Sequence, residues 1–164
     1  MPVNPPAELT VLGVLPALYQ AVDGEIAAAA PVCQVSGRCC RFREYGHTLF
    51  LSRPEAELLL EPGLPANAVI DEGSCPFQVQ GLCTARERRP LGCRVYFCDP
   101  GYRETGEEIT ERYIRRLKQL HDETGTPWDY RPLHHFLREL TPPDDSLGKS
   151  APSAEETSEN FVSE

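Results

Sequence analysis

A small, mainly α-helical single domain, metal-stabilised, with irregular cysteine-rich loops and little β-structure, is the fold class that three features predict. The first is a length of 164 residues, enough for one domain. The second is the recurrence of apolar residues at spacings of three and four near both ends of the chain. The third is the confinement of all seven cysteines to the stretch between Cys33 and Cys98, where no periodicity is visible. Sixteen prolines, scattered rather than clustered, add short elements joined by stiff connections.

Residues 1–32 read as an N-terminal packing helix. Leu12, Leu15, Leu18 or Tyr19, Val22 and Ile26 form one stripe, Pro16 is expected to kink or split the helix, and Pro31 ends it. Residues 33–140 form the cysteine-cluster domain. Within it, 47–51 reads as a short strand. Ser52 with Glu55 resembles a capping box opening a helix through Leu60. Thr84 with Glu87 could cap one helical turn before Pro90. The clearest helix spans 107–124, with Ile109, Tyr113, Leu117 and Leu120 on one face and Gly125 beyond its end. Trp128, Leu133, Phe136, Leu137 and Leu140 suggest a last short helix. Residues 141–164, rich in Ser, Pro, Glu and Asp, are expected to be a disordered acidic tail.

The net charge of −9 disfavours nucleic acid as a partner. Most of that charge sits at the two ends, so the cysteine-bearing middle is nearly neutral. No apolar run approaches the roughly 20 residues of a membrane span, so no membrane role is expected. The start, with Pro2, Pro5 and Pro6 and no basic segment, does not read as a signal peptide. A cytoplasmic, reducing setting is the expectation, and there clustered cysteines point to metal or redox chemistry rather than disulfides.

The cysteines run Cys33-x5-Cys39-Cys40, then, after a gap of 34 residues, Cys75-x7-Cys83-x9-Cys93-x4-Cys98. All seven are candidate metal ligands. Structural zinc sites commonly use pairs spaced Cys-x2–4-Cys, and only Cys93-x4-Cys98 qualifies. Adjacent Cys39 and Cys40 suit one tetrahedral ion poorly if the chain there is extended, because neighbouring side chains then diverge. Iron–sulfur clusters accept variable, non-local spacing. The cofactor is therefore zinc or an iron–sulfur cluster, with iron–sulfur slightly favoured. Seven thiols exceed the four that a zinc ion or a 4Fe–4S cluster takes, so either two sites exist or some thiols pack without ligating. Arg38, Arg41, Arg43, Arg86, Arg88, Arg89 and Arg94 flank the cysteines and would offset thiolate charge. Arg94 and Tyr96 are expected beside the centre. His47 is a candidate extra ligand or a surface histidine, and His121 is expected to serve a helix end.

The run Cys33-Gln-Val-Ser36-Gly37-Arg38-Cys39-Cys40-Arg41-Phe42, followed by Cys75-Pro-Phe, Gly81-Leu-Cys83, Arg89-Pro90-Leu-Gly-Cys93-Arg94 and Cys98, resembles the YkgJ-like cysteine-cluster family, described as zinc- or iron-chelating. The likeness spans residues 33–98. The family's head motif is Cys-x2-Cys-x2-Cys-Cys. Ser36 stands where its second cysteine often stands, and Cys98 is the candidate to compensate. The resemblance implies a bound metal centre and little about reaction. Some flagellin lysine methylases carry such a module, but this chain has no glycine-rich S-adenosylmethionine loop. No catalytic residue is assigned. The expected function is metal binding with no cellular role or protein partner specified. An iron–sulfur redox or protein-modifying enzyme component is the alternative, and an adaptor using the acidic tail is a weaker third.

Overall fold

A computed structural model describes residues 10–142, of which 56% are helical and 8% are in strands, arranged as one small domain. The mainly helical class with little β-structure is thus observed. Nearly all of the expected acidic tail lies outside the described residues. Among the described residues, no helix is long and apolar enough to cross a membrane.

The first helix, α1 (Val11–Ala29), starts at Thr10, whose hydroxyl accepts from the Gly13 amide at 3.1 Å. It runs unbroken through Pro16. It ends where Ala30 turns left-handed (φ 48°) just before Pro31, a residue that disfavours helix in its predecessor. Its buried stripe is Val11, Leu15, Leu18, Tyr19, Val22 and Ile26; Leu12, expected on that stripe, faces outward. That stripe packs on α5 (Arg103–Thr124), through Ile109, Tyr113, Leu117 and Leu120. The latter helix begins four residues earlier than its apolar pattern implies. A 3-10 turn at Pro100–Tyr102, capped by Asp99, leads into it. Leu117 has no exposed surface at the centre of this contact. Leu117→Ala should lower unfolding stability by about 2–5 kcal/mol, read by chemical denaturation with an unchanged slope.

A second core lies beneath the cysteines. It is built from β1 (Phe50–Ser52), α3 (Arg53–Leu60), β4 (Tyr130–Pro132) and α6 (Leu133–Leu140), with Leu51, Ala56, Leu59, Phe136 and Leu137 inside. Strands β1 and β4 pair antiparallel, Leu51 opposite Arg131. The backbone pairing continues past both ends, with Leu133 N–H donating to Leu49 O and Arg53 N–H to Asp129 O, each at 2.9 Å. Pro132 in β4 masks that strand in the sequence, since proline argues against a strand interior but is tolerated at an edge. Cys75, Cys83 and Cys93 pack against this core, so the cysteines sit on its rim.

One buried carboxylate ties the two cores together. Glu55, 1% exposed, accepts four hydrogen bonds. Ser52 N–H and Ser52 hydroxyl donate to Oε2 at 2.9 and 3.0 Å, and Leu91 N–H and Tyr19 hydroxyl donate to Oε1 at 2.8 and 3.1 Å. Tyr19 belongs to α1, Glu55 to α3, and Leu91 opens α4 (Leu91–Arg94), the short helix carrying Cys93.

Candidate functional site

Three chain segments converge on the Cys40 thiol. The first is a 3-10 turn, Arg38–Cys40, entered through Gly37 with φ 67°. A Cβ on Gly37 would lie 2.3 Å from Gln78 Nε2 and 3.1 Å from Gly81 O, so the position needs glycine for both conformation and close approach. Because the chain is wound rather than extended here, adjacent side chains need not diverge. The Cys39 and Cys40 sulfurs lie 3.9 Å apart. The second segment is anchored by Cys75 N–H donating to Cys40 O at 2.8 Å and Arg43 N–H to Gly73 O at 2.9 Å. The third is a hairpin of β2 (Gln78–Val79) and β3 (Leu82–Cys83), joined by Gln80 and Gly81, both with positive φ as a tight two-residue turn requires. The hairpin returns the chain so that Cys83 faces Gln78.

The Cys40 thiol is pushed far up, first by its hydrogen bond with Cys39 and then by the neighbouring Cys75 and Cys83 thiols. Cys39 and Cys83 are each drawn down to about 6, chiefly by the hydrogen bond from Cys40 and further by Arg89, with Arg86 adding to Cys83. Cys93 stands beside this quartet, pushed up by burial and then by Cys75. Two of the flanking arginines, Arg86 and Arg89, thus act on the thiols. Arg94 is placed differently. It is 5% exposed, and its guanidinium bonds Asp23 at 2.6 Å and the carbonyls of Glu87 and Arg89 at 2.6 and 2.7 Å, with its carbon 4.1 Å from the centroid of the Tyr19 ring. It fastens the Cys93 segment to α1 rather than facing the sulfurs.

Cys33 and Cys98 lie at the outer side. Val32 N–H donates to Asp99 Oδ2 at 2.9 Å, and Ser36 Oγ is 3.6 Å from Cys98 Sγ. Cys33, Cys39, Cys40, Cys83 and Cys98 border one cavity of about 70 Å³, together with Arg38, Arg86 and Arg89 and without a carboxylate. The thiol of Cys98 therefore stands beside the Ser36 hydroxyl. Tyr96, beside Cys98, has its hydroxyl pushed up by burial and then by Cys98. His47 stacks on Tyr96 with centroids 5.3 Å apart, and its Nε2 is 3.4 Å from Cys39 O. His121 is buried at the end of α5, its Nδ1 3.0 Å from Pro127 O. Sequence reasoning missed Glu55 as a site-positioning residue; the capping-box pattern flagged its helix start, and nothing local signals its reach to Leu91.

All seven cysteines are free thiols. Among the described residues, no three His, Cys, Asp or Glu side chains form a ready-made metal cage. The donor chemistry nonetheless suits one. Cys75 and Cys83 lie near enough to act on the Cys40 thiol, and the 3.9 Å between Cys39 and Cys40 is close to the roughly 3.8 Å between sulfurs around tetrahedral zinc at about 2.3 Å per bond. No family model, curated protein or solved structure matches the chain.

Proposed function

We propose that the chain is a metal-binding protein of the YkgJ-like cysteine-cluster type, in which Cys39, Cys40, Cys75 and Cys83 hold a thiolate-ligated centre with Cys93 beside it. The observation that supports this reading is that Cys75 and Cys83, delivered by two further segments, lie near enough to the adjacent Cys39–Cys40 pair to act on the Cys40 thiol. Arg86 and Arg89 would offset the charge of the ionised ligands. The further thiols of Cys33 and Cys98 on the same cavity favour an iron–sulfur cluster over a single zinc ion. Free thiols suit a reducing compartment, the cytoplasm in this reading. A cluster would supply one-electron redox chemistry, whereas zinc would cross-link the loops.

Anaerobic purification with metal and sulfide analysis and a visible spectrum tests this directly. Iron with acid-labile sulfide and a broad visible band is expected. Stoichiometric zinc in a colourless protein would replace the cluster with an ion. Protein that binds neither metal after reconstitution would remove the reading. The redox or protein-modifying alternative gains from one observation: Cys39 and Cys93 also border a second cleft, of about 290 Å³.

A further inference from the structure

The quartet is reached from two sides of unlike chemistry. The smaller cavity carries Arg38, Arg86 and Arg89. The larger cleft, about 290 Å³, carries no arginine, lysine or carboxylate; Cys39, His47, Phe50, Cys93, Tyr96 and Tyr130 are among its lining residues. We propose that this cleft binds a neutral, planar aromatic ring and holds it against the thiols.

Its size is at the lower end of small-ligand sites, room for a compound of one or two rings. Two stacked aromatic pairs line it. His47 and Tyr96 lie 5.3 Å apart at 22°, and Phe50 and Tyr130 lie 6.0 Å apart at 21°. Phe50 and Tyr96 remain 43% and 37% exposed, ring surface that a flat ligand would cover. The lack of a lining arginine or lysine selects against anions, which the arginine-bearing cavity would attract instead. Gly92 sits in the same lining. A Cβ there would approach Leu49 Cδ1 to 3.0 Å and Phe50 O to 3.7 Å, so the backbone is already seated against β1 and the wall is closed. The ring site stands without the metal; only its contact with a loaded centre rests on the proposed function.

Trp128 is the chain's single tryptophan, and it stacks on Tyr130 at 5.1 Å and 10°, so its emission reports on the cleft. Titrating the as-purified protein with benzamide, exciting tryptophan alone, is expected to give a saturable change with half-saturation on the order of millimolar. 2-Naphthamide should bind more tightly. Benzoate, the same ring with a charge, and cyclohexanecarboxamide, the same amide without the ring, should each be about tenfold weaker or silent. Tyr96→Ala should weaken benzamide about tenfold while Tyr96→Phe keeps it; Phe50→Ala provides an independent loss should the first variant misfold. Equal responses to benzamide and cyclohexanecarboxamide, a benzoate response as strong as benzamide's, or an unsaturable signal would overturn the proposal. Metal analysis of the same samples separates the two claims. Ring binding by protein that takes up neither metal on reconstitution removes the metal reading alone, and a metal-loaded protein blind to benzamide removes the cleft alone.

Discussion

Glu55→Ala should cost about 3–5 kcal/mol of unfolding free energy, the range for removing one partner from a buried charged hydrogen-bond network. Its side chain is the common acceptor for donors from α1, from the entry to α3 and from the first residue of α4. Alanine leaves the Ser52 and Leu91 amides and the Tyr19 hydroxyl facing an empty space. Two milder variants separate charge from shape. Tyr19→Phe deletes one of four donors and should cost about 1–1.5 kcal/mol. Glu55→Gln keeps an oxygen for two donors but presents an amide N–H to the Ser52 or Leu91 side, and should cost about 1–3 kcal/mol. Chemical denaturation of the purified protein reads all three. Because Leu91 opens the helix of Cys93, Glu55→Ala should also weaken metal retention. A cost below about 1 kcal/mol for Glu55→Ala would mean that water replaces the carboxylate and that Glu55 is not the tie between the cores.

The parts of this molecule legible in its sequence are those written by local patterns. The stripe Ile109, Tyr113, Leu117 and Leu120 has one buried solution at helical spacing, and α5 carries it. Ser52 and Glu55 announce the start of α3 in the same way. The thiol cluster is different. That cysteines gather was readable; which ones meet was not, because Gly37 and the Gln80–Gly81 turn decide it through positive φ angles. An extended Cys39–Cys40 pair would splay its sulfurs, and the wound one converges. Arg94 is the converse case. Its place between Cys93 and Cys98 suggests a role at the sulfurs, but its partners Tyr19 and Asp23 come from α1, more than seventy residues away in sequence. Nothing in a spacing pattern reports a pairing of that range.

Cys40→Ser is expected to have the largest effect of any single cysteine change, because it removes the sulfur that the other three share. The variant should lose most of its bound metal and, with structural metal contributing on the order of 10 kcal/mol to folding, melt at least about 10–15 °C lower. Cys39→Ser, Cys75→Ser and Cys83→Ser should follow closely. Cys93→Ser should show a smaller loss, being beside the quartet rather than in it. Cys33→Ser changes an exposed thiol and should retain the metal if the quartet is the binding unit. Cys40→Ala is the necessary partner experiment, since Cys40 is only 4% exposed and a small buried side chain has a packing role of its own. If the thiols merely pack, alanine would cost about 1–2 kcal/mol, serine would cost more by burying a hydroxyl, and a chelator would leave the melting temperature of the parent protein unchanged. If they hold a metal, alanine and serine fail alike, and chelation of the parent reproduces both. Metal content and melting temperature across the six serine variants therefore rank the ligands, and a flat ranking would dissolve the quartet.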